Sequence, residues 1–137
     1  MAKPIPDGFH SVTPSVTLSR CGEALEFYRK ALGAEVRMKM PAPDGRSVWH
    51  AEIKVGDSLV FLNDEMPGMS PKPPSPAAPS PVSFWLYVKD CDAAFERAVK
   101  AGCTSRMAPQ DMFWGDRYGQ LRDPFGVMWA INGPVKK

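Results

Sequence analysis

His50 and Glu52 stand two residues apart in Val48-Trp49-His50-Ala51-Glu52-Ile53, a stretch that alternates as a strand does, so both side chains leave it on the same side. An imidazole beside a carboxylate can serve as a base with its orienting partner, or supply two ligands of a metal ion. The same pair also fits a solvated strand face with a stray ion pair, because one strand alone supplies too few groups for a catalytic constellation. His10 lies just ahead of the first strand, where it can swing in as a ligand or simply be an exposed residue of a mobile start. Trp114 and Arg117 sit on a Gly-containing loop. There Trp offers a stacking surface and Arg a partner for an anion or a planar group. Alternatively Trp114 is expected to pack the interface between the modules and Arg117 to pair with Asp116 or Asp111. Cys21, Cys91 and Cys103 form an odd set with no close spacing and no activating His or Lys pattern, which argues against a disulfide scaffold, a zinc knuckle or a reactive thiolate. Met38, Met40 and Met128 suit the lining of an apolar cavity as well as ordinary core filling.

The elements that must position these groups come in a repeated order. Residues 13–18 alternate as a strand, and residues 23–32 place apolar side chains at three- and four-residue spacing, with Gly33 just past the helix end. Strands are predicted over residues 35–40, 47–55 and 59–62, the last two joined by a Val55-Gly56-Asp57-Ser58 hairpin. Residues 67–81 are dense in proline, which denies the backbone its donors, so a stiff exposed linker is expected there, with a PxxP interaction role as the other possibility. The order then restarts: a strand over 83–88, a helix over 91–101 ending at Gly102, strands over 105–108 and 118–122, and the Asp123-Pro124-Phe125-Gly126 turn feeding a strand over 127–131. Gly56 and Gly126 are 70 positions apart, and the same offset lays Cys21 on Cys91, Ala24 on Ala94, Glu26 on Glu96 and Lys30 on Lys100. The expected class is α+β, with a first βαβββ module over residues 10–65, the linker over 66–81 and a second βαβββ module over 82–133.

Strand parity divides the side chains between two faces. Val16, Leu18, Trp49, Ala51, Ile53, Leu59, Phe61, Phe84, Leu86, Val88, Trp129 and Ile131 are expected to pack in the core. Thr13, Ser15, Thr17, His50, Glu52, Val60, Leu62, Ser83, Trp85, Tyr87, Tyr118, Gln120, Arg122, Met128 and Ala130 are expected on the other, concave side. Aromatic walls with a few polar groups are what a small-molecule pocket needs.

The Glu23-Ala24-Leu25-Glu26-Phe27-Tyr28 helix start, together with Trp114-Gly115-Asp116-Arg117 leading to Asp123-Pro124-Phe125-Gly126, resembles the vicinal oxygen chelate superfamily of glyoxalases, bleomycin-resistance proteins and extradiol dioxygenases. Within it the PhnB-like, glyoxalase/bleomycin-resistance-like proteins are the nearest in character. The resemblance spans roughly residues 10–132. It implies two modules whose sheets curl into a cup that holds a ligand, commonly within a homodimer. Members that do metal chemistry carry His and Glu at the start of each module's first strand and on its last strand. Those places fall here on Thr13, Val60, Ser83 and Ala130, and their neighbours Pro14, Phe61, Phe84 and Trp129 supply no ligand either. Hydroxyls and hydrocarbon do not hold a divalent transition metal, so no cofactor is expected and a divalent metal only at a relocated site.

Over 137 residues, 44% hydrophobic and 23% charged residues are ordinary for a globular chain, and a formal charge of +2 with no clustered basic footprint gives no nucleic-acid or anionic-membrane partner. The first eight residues hold two prolines and no apolar run of secretory length, and no segment approaches a membrane span, so a cytoplasmic place is expected. The resulting expectation is metal-independent binding of a small planar or aromatic molecule by a homodimer. The competing reading is a lyase, isomerase or dioxygenase with a relocated metal or a metal-free acid–base site. A scaffold acting through its proline segment is a third.

Overall fold

The computed structural model describes residues 3–136, and one order of elements runs through it twice. The first run is β1 (Ser15–Leu18), α1 (Cys21–Leu32), β2 (Glu35–Pro41), β3 (Val48–Val55) and β4 (Ser58–Asp64). The second is β5 (Ser83–Tyr87), α2 (Cys91–Ala101), β6 (Thr104–Asp111), β7 (Asp116–Arg122) and β8 (Met128–Pro134). Each run builds a four-stranded mixed sheet, ordered β1-β4-β3-β2 and β5-β8-β7-β6, whose edge strand β1 or β5 lies parallel to its neighbour. Two βαβββ modules of an α+β fold are therefore the observed architecture. The chain divides into two compact units, residues 3–29 with 33–73 and residues 30–32 with 74–136. No described helix is long and apolar enough to cross a membrane.

Both helices bury one stripe. In α1 it is Cys21, Ala24, Leu25, Tyr28 and Ala31, spaced three and four apart; in α2 it is Cys91, Phe95 and Ala98. Asp90 caps α2 by accepting from the Ala93 N–H at 3.1 Å. Arg20 cannot do this for α1, and the carboxylate of Asp64, on the last strand of the same module, accepts from the Cys21 N–H instead at 2.7 Å. Its other oxygen takes the Val48 N–H, also at 2.7 Å, so one side chain fixes a helix start and a strand start together. The turn before β8 is held likewise. Asp123 is fully buried and accepts from the N–H groups of Phe125 and Val127 and from the indole of Trp129, at 2.9 to 3.0 Å.

Expected side-chain orientations are corrected on two strands. On β4, Val60 (7% exposed) and Leu62 (2%) are buried while Leu59 and Phe61 stand half-buried on the opposite face, the reverse of the expectation. The cause is turn length. Val55 pairs with Ser58 across a two-residue turn, whereas Arg122 pairs with Met128 across the five residues 123–127. The repeat offset of 70 that holds for the helices thus becomes 69 on the last strand: Ser15 faces Phe61 as Trp85 faces Ala130, and Thr17 faces Asn63 as Tyr87 faces Asn132. Gly56 and Gly126 are not equivalent, and Phe61 rather than Val60 is the counterpart of Ala130. On β3, Val48 and Ala51 are both buried, which strict alternation forbids. A bulge, seen as the register slip from Met40–His50 to Pro41–Val48, absorbs the extra residue and turns Trp49 out to 40% exposure, away from the core expected for it.

The proline-rich segment contains no helix or strand and is exposed at most of its positions, with local packing along its length. Its start packs on the first module, as described below. Its later part lies against Gly126, whose carbonyl accepts from the Ser80 N–H at 2.8 Å. The fit is close enough that a side chain at position 126 would bring its Cβ within 2.5 Å of the Ser75 backbone.

Candidate functional site

The face of the first sheet opposite its buried side carries Ser15 and Thr17 from β1, Phe61 and Asn63 from β4, His50 and Glu52 from β3, and Met38 and Met40 from β2. A cavity of about 570 Å³ opens on this face, within the range of small-molecule sites. Ser15, Thr17, His50 and Asn63 form its polar wall, and Trp49, Met66, Met69, Ser70 and Pro71 complete it. The start of the proline-rich segment is thus one side of the cavity. It is folded into a turn in which Met66 O accepts from the N–H groups of Met69 and Ser70, and Ser70 Oγ accepts from the Met66 N–H.

Inside the cavity the polar groups are ordered. Asn63 Nδ2 donates to Thr17 Oγ1 at 3.2 Å and to the Asp64 carbonyl at 2.8 Å, which leaves Asn63 Oδ1 as an acceptor facing the space. His50 Nε2 lies 3.4 Å from Glu52 Oε1, a long contact, and its ring packs edge-on against Phe61 with centroids 4.7 Å apart. The bulge and the shifted β4 register put Trp49 and Asn63 here, where parity counting missed them. The recurrence of Asn at 63 and 132 was the available signal. Ser15, Thr17 and His50 lie in the wall as a set, and Glu52 stands behind His50. Thr13 precedes β1, half-buried and outside the wall. His10 is exposed.

In the second module the matching face is aromatic. Trp85 stacks on Tyr118 with centroids 5.1 Å apart, Trp114 meets Tyr118 edge-on at 5.5 Å, and Gln120 Nε2 donates to the Tyr118 hydroxyl at 2.7 Å. Met128, Ala130 and Asn132 alternate along β8 beside them. Tyr87, 72% exposed, stands at the edge. Arg122 Nη2 donates to Thr104 Oγ1. Arg117 is a correction. It belongs to β7, not to a loop, and alternates away from Tyr118; its guanidinium is held by Asp92 at 2.9 and 3.0 Å and by Asp111 at 3.1 Å. The hydrogen bond from Arg117 holds the Asp92 carboxyl below its usual range, and the two carboxylates raise Arg117 in turn. The pairing with Asp111 is one of the two alternatives the sequence offered, and Asp92 is a further partner.

The metal positions implied by the resemblance resolve to Thr13 and Phe61 in one module and Ser83 and Ala130 in the other. A hydroxyl and a hydrocarbon side chain in each do not fit a divalent ion. Among the described residues no three His, Cys, Asp or Glu side chains converge. The thiols are equally unsuited to chemistry: burial pushes Cys21 and Cys103 up to about 12, and Cys91 is raised for the same reason.

Comparison with known proteins agrees with this architecture. The chain is 37% identical over 130 residues to the Uncharacterized protein Mb0911c of Mycobacterium bovis, covering 93% of this chain and 85% of that one. Its fold superposes on TioX from Micromonospora sp. ML1 with a TM-score of 0.73 at 19% identity, covering 93% of this chain and 100% of TioX. It superposes on a PhnB protein from Bacillus cereus with a TM-score of 0.67 at 14% identity, covering 89% and 98%. The model of the Glyoxalase/Bleomycin resistance protein/Dioxygenase superfamily matches residues 9–131, and the chain belongs to that superfamily.

Proposed function

We propose that this protein binds a small planar or aromatic molecule without a metal, in the cavity of its first module, and releases it unchanged. The carrying observation is that cavity of about 570 Å³, which joins an aromatic and thioether wall to the Ser15, Thr17, His50 and Asn63 side chains. The ligand's flat face would lie against Trp49 and the thioethers, and its polar edge would reach Asn63 Oδ1 and the hydroxyls. With it goes a homodimer, as the family resemblance implies, working in the cytoplasm, as the odd cysteine count suggests; sedimentation velocity checks the dimer. The test of binding is equilibrium dialysis against a library of planar aromatic compounds, with and without chelator, followed by mass analysis of what is released. A binder recovered intact and indifferent to chelator supports the proposal, and a transformed compound contradicts it.

His50 beside Glu52 in the cavity favours one alternative, metal-free acid–base catalysis by a lyase or isomerase. The same mass analysis separates the two, because only the alternative gives product, and His50→Gln would abolish it.

A further inference from the structure

We infer that the first-module cavity selects a planar ligand that is uncharged or positively charged and bears N–H donors, and that it discriminates against carboxylates and phosphates. The inference rests on the binding proposal above and narrows it to a chemical class. It comes from the charge and hydrogen-bond polarity of the wall. Among the described residues lining the cavity there is no Lys or Arg. Lys54 shares the sheet face but lies two residues beyond Glu52, and Lys72 is exposed beyond Pro71. On that face the carboxylate of Glu52 lies 3.4 Å from His50 Nε2, with its side chain 21% exposed.

A carboxylate or phosphate would meet only hydroxyl and ring N–H donors in this wall, with no Lys or Arg among its described residues. Both bonds made by the Asn63 amide nitrogen go to protein oxygens, so the group presents its acceptor to the cavity. The N-terminus of α1, the ordinary place for an anion to settle, is occupied by the module's own carboxylate, since Asp64 Oδ1 accepts from the Cys21 N–H. The cavity's other groups suit a cation or an N–H edge: Asn63 Oδ1 and the Ser15 and Thr17 hydroxyl oxygens as acceptors, an indole face, two thioethers, and the Glu52 carboxylate next to His50. The Coulomb term alone, from one carboxylate at partly screened range, is worth about tenfold between a cation and a neutral molecule of the same shape.

Three flat probes of nearly equal shape test this: neutral acridine, cationic 9-aminoacridine and anionic acridine-9-carboxylate, titrated by fluorescence into the full chain at neutral pH and low salt. The expected order is 9-aminoacridine tightest, acridine next and the carboxylate weakest, with about tenfold or more between the ends. Glu52→Gln should remove most of the affinity ratio between 9-aminoacridine and acridine. Ser15→Trp, a change at an exposed strand position in the cavity wall, should block all three probes. If the carboxylate binds as well as the cation, or the cation's advantage survives Glu52→Gln, the selectivity is overturned while the binding proposal stands. If none of the three binds, or Ser15→Trp leaves them bound, the binding proposal fails and the selectivity with it.

Discussion

Asn63 stands directly opposite Thr17 in the parallel β1–β4 pairing, and its amide nitrogen donates to the Thr17 hydroxyl oxygen at 3.2 Å. That bond orients the acceptor end of Asn63 into the cavity. Asn63→Ala should cost about 1 kcal/mol of stability for the lost hydrogen bonds and weaken 9-aminoacridine by about fivefold. Urea unfolding measures the first and fluorescence titration the second. Unchanged affinity would place the ligand elsewhere.

Asp123 ties the turn before β8 together, since three N–H donors converge on its fully buried carboxylate. Asp123→Ala leaves those donors without their acceptor and should destabilise by about 3 kcal/mol or more, read as a lower urea midpoint.

Glycine substitutions should separate backbone strain from crowding. Gly45 has φ +72° with nothing near its Cβ direction, so Gly45→Ala should cost about 1 kcal/mol. Gly126 combines φ +89° with the Ser75 backbone 2.5 Å from where a Cβ would stand. Gly126→Ala should therefore cost more, about 2 kcal/mol or above, and should expose the 71–81 segment to proteases while Gly45→Ala does not.

The Arg117–Asp92 pair sets a pH dependence with a definite sign. Asp92 titrates below its ordinary range because Arg117 hydrogen-bonds its charged form, so its contribution is present above the unfolded carboxylate value of about 3.9 and is lost as pH falls through the lower folded value. In Arg117→Gln the Asp92 carboxyl should move back up, as measured by carbon-detected NMR titration. An Asp92 titration unmoved by the substitution would contradict the assignment.

The thiols supply a check of packing. With Cys21 and Cys103 pushed up to about 12 and all three cysteines buried, native protein should react with a thiol reagent at pH 8 far more slowly than protein in denaturant. Rapid labelling of the native chain would contradict the burial.

What the sequence disclosed and what it withheld have physical causes. Helix periodicity, the Gly33 and Gly102 ends and the strand alternation in β1, β5 and β8 are local properties, and they suffice for two βαβββ modules. The face of β4 depends on how many residues the preceding turn consumes, and the two modules differ there, so counting from Gly56 as if it were Gly126 inverted Val60 and Phe61. Trp49 was misplaced by one bulge. Arg117 was legible as a partner of Asp111, but its stronger partner Asp92 comes from α2 and has no signature in local spacing. The contribution of Met66 to Pro71 to the cavity could not be read at all, because a proline-dense stretch announces only what its backbone cannot form.

A crystal of the full chain grown with 9-aminoacridine tests the central claim most directly. The account expects the flat ring against Trp49 with its amino edge toward Asn63 Oδ1, and no ion beside it. A ring bound away from that cavity, or a divalent ion held at Thr13 or Ser83, would contradict it.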